Sequence, residues 1–154
     1  MKISLITVTY NSGKTLSTTL ESVLAQTHPN IEYIIVDGAS KDNTVDIIKE
    51  YEPRFEGRLK WVSEPDKGLY DAMNKGVSIS SGEYLLFLNG GDIMASDTAI
   101  ENALSYLNDT DFIIGRSYFS KAGKRCGKSP LLSEIDMSMY NMYLHGINHQ
   151  SAFI

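Results

Sequence analysis

The chain has 154 residues, 42% of them hydrophobic and 21% charged, and a net charge of −5 at pH 7. That length suits one domain with a real core, and that balance excludes a disordered chain. An acidic total without a basic run excludes the usual nucleic-acid binder, since phosphate neutralisation needs clustered Lys and Arg.

Residues 3–8 read as a buried strand, and the turn Tyr10-Asn11-Ser12-Gly13 follows. Residues 14–26 carry Leu16, Leu20, Val23 and Leu24 at helical spacing, ended by Thr27-His28-Pro29-Asn30. Residues 31–36 form a second apolar run closing on Asp37. The polar stretch 38–43 then offers Asp42 or Asn43 to cap a helix over 44–52. A third strand is expected at 59–62, and a partly helical segment at 68–78 with Leu69, Ala72, Met73 and Val77 on one face. Residues 84–88 make a fourth strand, followed by Asn89-Gly90-Gly91-Asp92. Asp97 can cap a helix carrying Ile100, Ala103, Leu104 and Leu107, and 112–114 make a fifth strand.

Strands alternating with helices predict an α/β fold, a Rossmann-like, mostly parallel sheet with helices on both faces. In such sheets ligands sit beyond the carboxyl ends of the strands. Polar residues recur there: Thr9, Tyr10 and Asn11 after strand one, Asp37 after strand two, Glu64 and Asp66 after strand three, Asn89 and Asp92 after strand four. Four polar ends along one edge predict a binding site.

Two nucleotide motifs fail on their glycines. Ser12-Gly13-Lys14-Thr15 resembles the tail of a phosphate-binding loop, but Val8 stands where that loop needs glycine. A dinucleotide fingerprint needs three glycines after strand one, and only Gly13 is present, so a nicotinamide oxidoreductase is set aside. A divalent cation could replace the missing backbone cradle. Asn89-Gly90-Gly91-Asp92 reads either as a plain turn or as a cation seat, with Asp92 behind two glycines that allow a bulky ligand close.

Several ordered segments resemble family 2 glycosyltransferases with the GT-A fold. These are Ile3-Ser4-Leu5-Ile6-Thr7-Val8-Thr9-Tyr10-Asn11, Ser22-Val23-Leu24-Ala25-Gln26-Thr27, the stretch 34–44, the stretch 64–76 and the stretch 82–89. The resemblance covers about residues 1–116, and implies a nucleotide-sugar (donor) binding subdomain there. Residues 117–154 would begin an acceptor-side subdomain, incomplete in this chain. It implies an inverting transfer from a nucleotide-diphosphate sugar, a UDP-sugar first, to a glycan or lipid-linked saccharide hydroxyl, assisted by Mg²⁺ or Mn²⁺. Thr9, Tyr10 and Asn11 would line the nucleotide pocket. Asp37 would accept a hydrogen bond from the base, and Asp66 would lie near base and ribose. Asn74 would shape the pocket floor, Asn89 would belong to the substrate-binding set, and Asp92 to the metal motif.

The chain departs from the family pattern twice. Gly91 stands where the principal metal carboxylate is usual, which leaves Asp92 with phosphate oxygens and water to complete a shell. The inverting base, a downstream carboxylate in this family, is expected beyond Ile154. The apolar ending at 148–154 resembles a mid-domain strand, so a partial polypeptide is expected. Glu134 and Asp136 are the nearest downstream carboxylates, and neither sits at the family position.

His145 and His149 are four apart, but Gly146 and Asn148 interrupt a helix between them and no acidic third ligand is near. The cluster Met137, Met139, Tyr140, Met142, Tyr143 and Leu144 reads as helix packing, or else as an acceptor lid, membrane-surface patch or subunit contact. Residues 115–128 read as an exposed basic hairpin or loop. One cysteine, Cys126, excludes an internal disulfide and fits a reducing, cytoplasmic compartment, with contact at the inner membrane face and homo-oligomerisation left open. No stretch reaches the roughly 18 apolar residues a membrane span needs. A rival reading keeps the fold without turnover, as a nucleotide-sugar-binding or scaffold domain.

Overall fold

The computed structural model describes residues 1–106 and the short strand segments 113–114, 118–121, 124–128 and 152–153. Glu134, Asp136, His145, His149 and the cluster at 137–144 lie outside the described residues. The elements run β1 (Ile3–Thr9), α1 (Leu16–Leu24), β2 (Ile31–Asp37), α2 (Thr44–Tyr51), a 3-10 turn (Glu52–Phe55), β3 (Leu59–Ser63), α3 (Leu69–Ile79), β4 (Tyr84–Phe87) and α4 (Ala99–Leu104). Four short strands follow: β5 (Ile113–Ile114), β6 (Tyr118–Lys121), β7 (Lys124–Lys128) and β8 (Ala152–Phe153).

The main sheet has the order β3-β2-β1-β4-β8-β5. Its first four strands are parallel, with Ile3 opposite both Ile31 and Tyr84, and Tyr33 opposite Leu59. β8 runs antiparallel between β4 and β5, so the sheet is mixed at that edge. β6 and β7 pair antiparallel, as a hairpin. Every residue of β1 and β2 is buried, the expectation for central parallel strands covered on both faces.

Successive side chains of those strands part to two cores. Ile3, Leu5, Ile31, Tyr33 and Ile35 pack with Leu16 and Leu20 of α1, Ile48 of α2 and Ile100 of α4. Ile6, Val8, Ile34 and Val36 pack with Ala72 and Met73 of α3. At about 1.5–3 kcal/mol for each fully buried aliphatic side chain, this alternation sets the sheet register.

The predicted phase of α3 needs correction. Ala72, Met73 and Gly76 are its buried residues, while Leu69 and Val77 are exposed. Gly76 is the reason: a Cβ there would lie 2.5 Å from Ile6 Cγ2, so its bare backbone sits against the sheet and rotates the helix. α4 is entered from Thr98 rather than Asp97. α1 begins at Leu16, two residues later than predicted, because the Thr15 and Leu16 N–H groups both turn back to the Ser12 carbonyl.

Candidate active site

Because β1 to β4 run parallel, their polar carboxyl ends meet along one edge. A cleft of about 280 Å³ opens there, lined by Val8, Thr9, Tyr10, Asp66, Gly68, Leu69 and Ala72. Of the predicted site residues, Thr9, Tyr10 and Asp66 share this cleft. Tyr10 is 61% exposed at its rim, an aromatic surface open to a ligand.

Asp37 lies at the end of β2 with no exposed surface. Its Oδ2 accepts from the Ser40 N–H (3.0 Å) and the Ser63 hydroxyl (2.6 Å), and its Oδ1 accepts from the Ser40 hydroxyl. A carboxylate offers about four lone-pair positions, and three are filled by the chain itself. One position on Oδ1 is left, on a residue with no exposed surface.

Asn11 joins the first two loops. Its N–H donates to Ser40 Oγ (2.7 Å), and its Oδ1 accepts the Lys41 N–H (2.8 Å). Asn11 takes φ +50°, a conformation Asn tolerates, and Ala39 takes φ +59°, which costs an L residue about 1 kcal/mol. Asp42 completes the joint. Its Oδ2 accepts the Gly13 N–H (2.9 Å), and its Oδ1 accepts the Thr44 N–H (3.1 Å) and hydroxyl. The Thr44 hydroxyl first, then the Gly13 N–H, hold the Asp42 carboxyl below its ordinary range. The Gly13 N–H therefore serves an internal carboxylate, a physical reason that 12–15 makes no phosphate cradle.

Asp66 Oδ1 accepts the Gly68 N–H at 2.8 Å. A Cβ on residue 38 would lie 2.6 Å from Asp66 Oδ2 and 3.4 Å from Tyr10 Cδ2, so only glycine lets these three meet. Asn74 stands exposed on α3 and is not among the cleft-lining residues.

The segment after β4, up to the start of α4, is tied to α1 and the residues just past its end. The Gly91 N–H donates to Thr19 Oγ1 (2.9 Å), the Met94 N–H to Ser22 Oγ (3.2 Å) and the Ile100 N–H to Gln26 Oε1 (3.2 Å). Gly91 adopts φ +103°, which favours glycine, and Asp92 follows half-buried. Among the described residues, two buried side-chain oxygens have no hydrogen-bond partner, Thr9 Oγ1 and Asn89 Oδ1. Thr9 ends β1, and Asn89 lies two residues past the end of β4, the neighbouring strand. A Cβ on Gly90 would lie 2.7 Å from Thr9 Oγ1, so that turn closes directly on the hydroxyl.

No group of three or more His, Cys, Asp or Glu able to hold a metal occurs among the described residues. The donors that the strand ends offer are one carboxylate at 89–92, Asp92, and the unpartnered oxygens of Thr9 and Asn89. That suits a hard cation arriving with phosphate oxygens, and it does not suit an all-protein cage. No helix among the described residues is long and apolar enough to cross a membrane.

Sequence reasoning missed Ser40 and Ser63. Ser40 and Ser63 do not stand out because serine at strand ends is common. Their link to Asp37 spans 3 and 26 residues respectively.

The description Glycosyl transferase family 2 matches residues 4–149 of this chain. An uncharacterized glycosyltransferase of Mycobacterium tuberculosis is 38% identical over 107 residues, 69% of this chain and 40% of that protein. The PGL/p-HBAD biosynthesis glycosyltransferase of Mycobacterium bovis is 29% identical over 153 residues, 97% of this chain and 57% of that protein. The chain thus spans about half the length of these curated relatives. The solved structure of S. aureus TarS 1–349 in complex with UDP-GlcNAc aligns with TM-score 0.66 and 25% identity, over 74% of this chain and 34% of that one. The mannosyltransferase PcManGT of Pyrobaculum calidifontis, in complex with GDP-Man and Mn²⁺, shares the fold with TM-score 0.67 and 23% identity, over 75% of this chain and 34% of that one.

Proposed function

We propose that this chain, which belongs to glycosyl transferase family 2 and has the GT-A fold, holds the donor nucleotide of a sugar transfer in the cleft at the carboxyl edge of its sheet. The observation that carries this reading is the meeting of Thr9, Tyr10 and Asp66 on one cleft. Residues 1–116 serve as the donor-binding part, and 117–154 begin the acceptor side. The donor is a UDP-sugar, in keeping with the UDP-GlcNAc held by TarS. Tyr10 offers a ring face to the base, and Asp66 accepts from base or ribose. Asn11 acts through its backbone geometry, holding the loop that carries Tyr10. Asn74 takes part from the exposed face of α3. Asp37 receives a base N–H at its one remaining acceptor position, which requires the 38–40 loop to move.

Asp92 would hold Mg²⁺ or Mn²⁺ together with diphosphate oxygens and water. When bound, the cation neutralises the diphosphate and stabilises it as a leaving group. Thr9 and Asn89 supply the unpartnered oxygens that a bound ligand satisfies. The inverting base is proposed to lie in the part of the relatives' length that this chain does not span. The acceptor is a glycan or lipid-linked saccharide.

Calorimetric titration with UDP, GDP and dTDP at millimolar Mn²⁺ tests the reading. Binding of UDP ahead of the others is expected, and no binding of any of the three would overturn it. Asp92→Ala is expected to remove the Mn²⁺-dependent part of UDP binding and leave the rest. Equal Mn²⁺ dependence in both proteins would remove Asp92 from the metal site. The lone carboxylate at 89–92 also favours a second reading, a donor-binding domain without turnover. Release of UDP from a UDP-sugar with acceptor present, assayed on the full-length gene product, separates the two.

A further inference from the structure

The loop 64–68 carries Asp66 to the cleft, yet it has no secondary structure of its own. It contains Pro65, and its Gly68 adopts φ +117°. One side chain from α3 reaches back beneath it. Lys75 Nζ donates to the Pro65 carbonyl at 2.8 Å and lies 2.9 Å from Glu64 Oε1 and 3.7 Å from Asp71 Oδ2. Asp71 Oδ2 in turn accepts the Lys67 N–H at 3.0 Å, and Asp66 Oδ1 accepts the Gly68 N–H. At its start the loop is tied to the sheet by the Glu64 N–H on the Asp37 carbonyl, 3.0 Å. Lys75 thus closes the middle of a loop already held at both ends.

We infer that Lys75 is a positioning residue for the donor nucleotide: its ammonium pins the 64–68 loop and so fixes the Asp66 carboxylate at the cleft. This deepens the nucleotide-binding reading and rests on it. The ion pairs with Glu64 and Asp71, whose side chains are 52% and 38% exposed, contribute little by themselves. The effective contact is the charge-assisted bond to the Pro65 carbonyl, one residue before Asp66. The same ammonium offsets three carboxylates, Glu64, Asp66 and Asp71, which would otherwise repel an anionic nucleotide. Glu64 first, then Asp71 and Asp66, hold the Lys75 ammonium above its ordinary range against the opposing effect of burial, so it stays charged.

The test compares wild type, Lys75→Met and Lys75→Arg by UDP titration with Mn²⁺ and by amide hydrogen exchange without ligand. In Lys75→Met the UDP Kd is expected to rise about tenfold, the loss of one hydrogen bond from a charged donor. Exchange of the Lys67 and Gly68 N–H groups is expected to speed up about tenfold, while the strands β1 and β2 keep their protection. Lys75→Arg, which retains charge and reach, is expected to restore most of both. Lys75→Gln keeps a donor without the charge, and decides the matter should Lys75→Met not fold. A UDP Kd within twofold of wild type, or a weakened Kd with unchanged exchange at 67–68, would overturn the role. If wild type binds none of UDP, GDP and dTDP, the nucleotide reading falls, and the exchange data alone still decide whether Lys75 pins the loop.

Discussion

The two ends of the parallel sheet differ in how completely they pair their buried polar groups. At the amino edge, Glu32 is 4% exposed and every approach to it is occupied by the chain. Ser4 Oγ donates at 2.7 Å, the Ser81 N–H at 2.8 Å and Lys60 Nζ at 2.5 Å, with Lys2 Nζ at 3.4 Å. Burial pushes the Glu32 carboxyl up, but Lys60, Ser4 and Ser81 outweigh it and bring it down to about 2. At the carboxyl edge, Thr9 Oγ1 and Asn89 Oδ1 lack partners, and Asn11 and Ala39 hold positive φ. A buried polar atom without a partner costs about 1–3 kcal/mol, so the carboxyl edge is the less favourable end. The lesson is a division of labour along the same strands. One end spends its polar groups on stability, and the other leaves two buried oxygens unpaired, which the proposed ligand would satisfy.

The largest expected break is at the amino edge. Glu32→Ala should cost about 3 kcal/mol, because it leaves the Ser81 N–H and Ser4 hydroxyl without their acceptor. For a chain of this size that lowers Tm by about 6–12 °C, read by calorimetry, with the UDP Kd unchanged within twofold. The pH dependence has a definite sign. A carboxyl brought down to about 2 on folding contributes its stability above its ordinary value of 4.5, and loses it as pH falls from there toward 2. Urea unfolding between pH 5 and 2.5 should show that loss in wild type, and a shallower one in Glu32→Gln.

At the carboxyl edge, Asp37→Ala also leaves the Ser40 and Ser63 donors without their acceptor, and should weaken UDP binding about tenfold with and without Mn²⁺ as the proposed charge-assisted bond to the ligand is lost. An unchanged Kd would show that the 38–40 loop keeps Asp37 closed. The smallest effect sharpens the contrast most. Thr9→Val removes a buried hydroxyl that has no partner, so stability should hold or rise by about 0.5–1 kcal/mol while UDP binding weakens severalfold. A destabilised Thr9→Val protein would mean that both ends of the sheet are built alike.

Much of the fold was legible because its signals are local. Short apolar runs and polar strand ends identified β1 to β4, and the glycine count set aside a phosphate cradle. The helix start at 42–43 was legible: Asn43 takes the N-cap position of α2 without a side-chain cap bond, and Asp42 accepts the Thr44 N–H two residues on. The hold of Asp42 on Gly13 was not, since that pairing crosses 29 residues. Glu32 shows the limit well. It reads as a charged residue inside an apolar strand, and its partners Ser4, Lys60 and Ser81 come from three other parts of the chain. The face of α3 was misjudged because apolar spacing fits two phases, and the close approach of Gly76 to Ile6 chose between them.

The sequence by itself determined the α/β class, the polar carboxyl edge of the sheet and the family the chain belongs to. Each follows from spacing between near neighbours or from ordered motifs. Only the tertiary structure decided that Ser40 and Ser63 close Asp37, that Lys75 reaches the loop of Asp66, and that Thr9 and Asn89 stay unpaired. The physical reason is that a buried polar group is satisfied by whatever atom the fold brings within 3 Å, and distance along the chain says little about which atom that is.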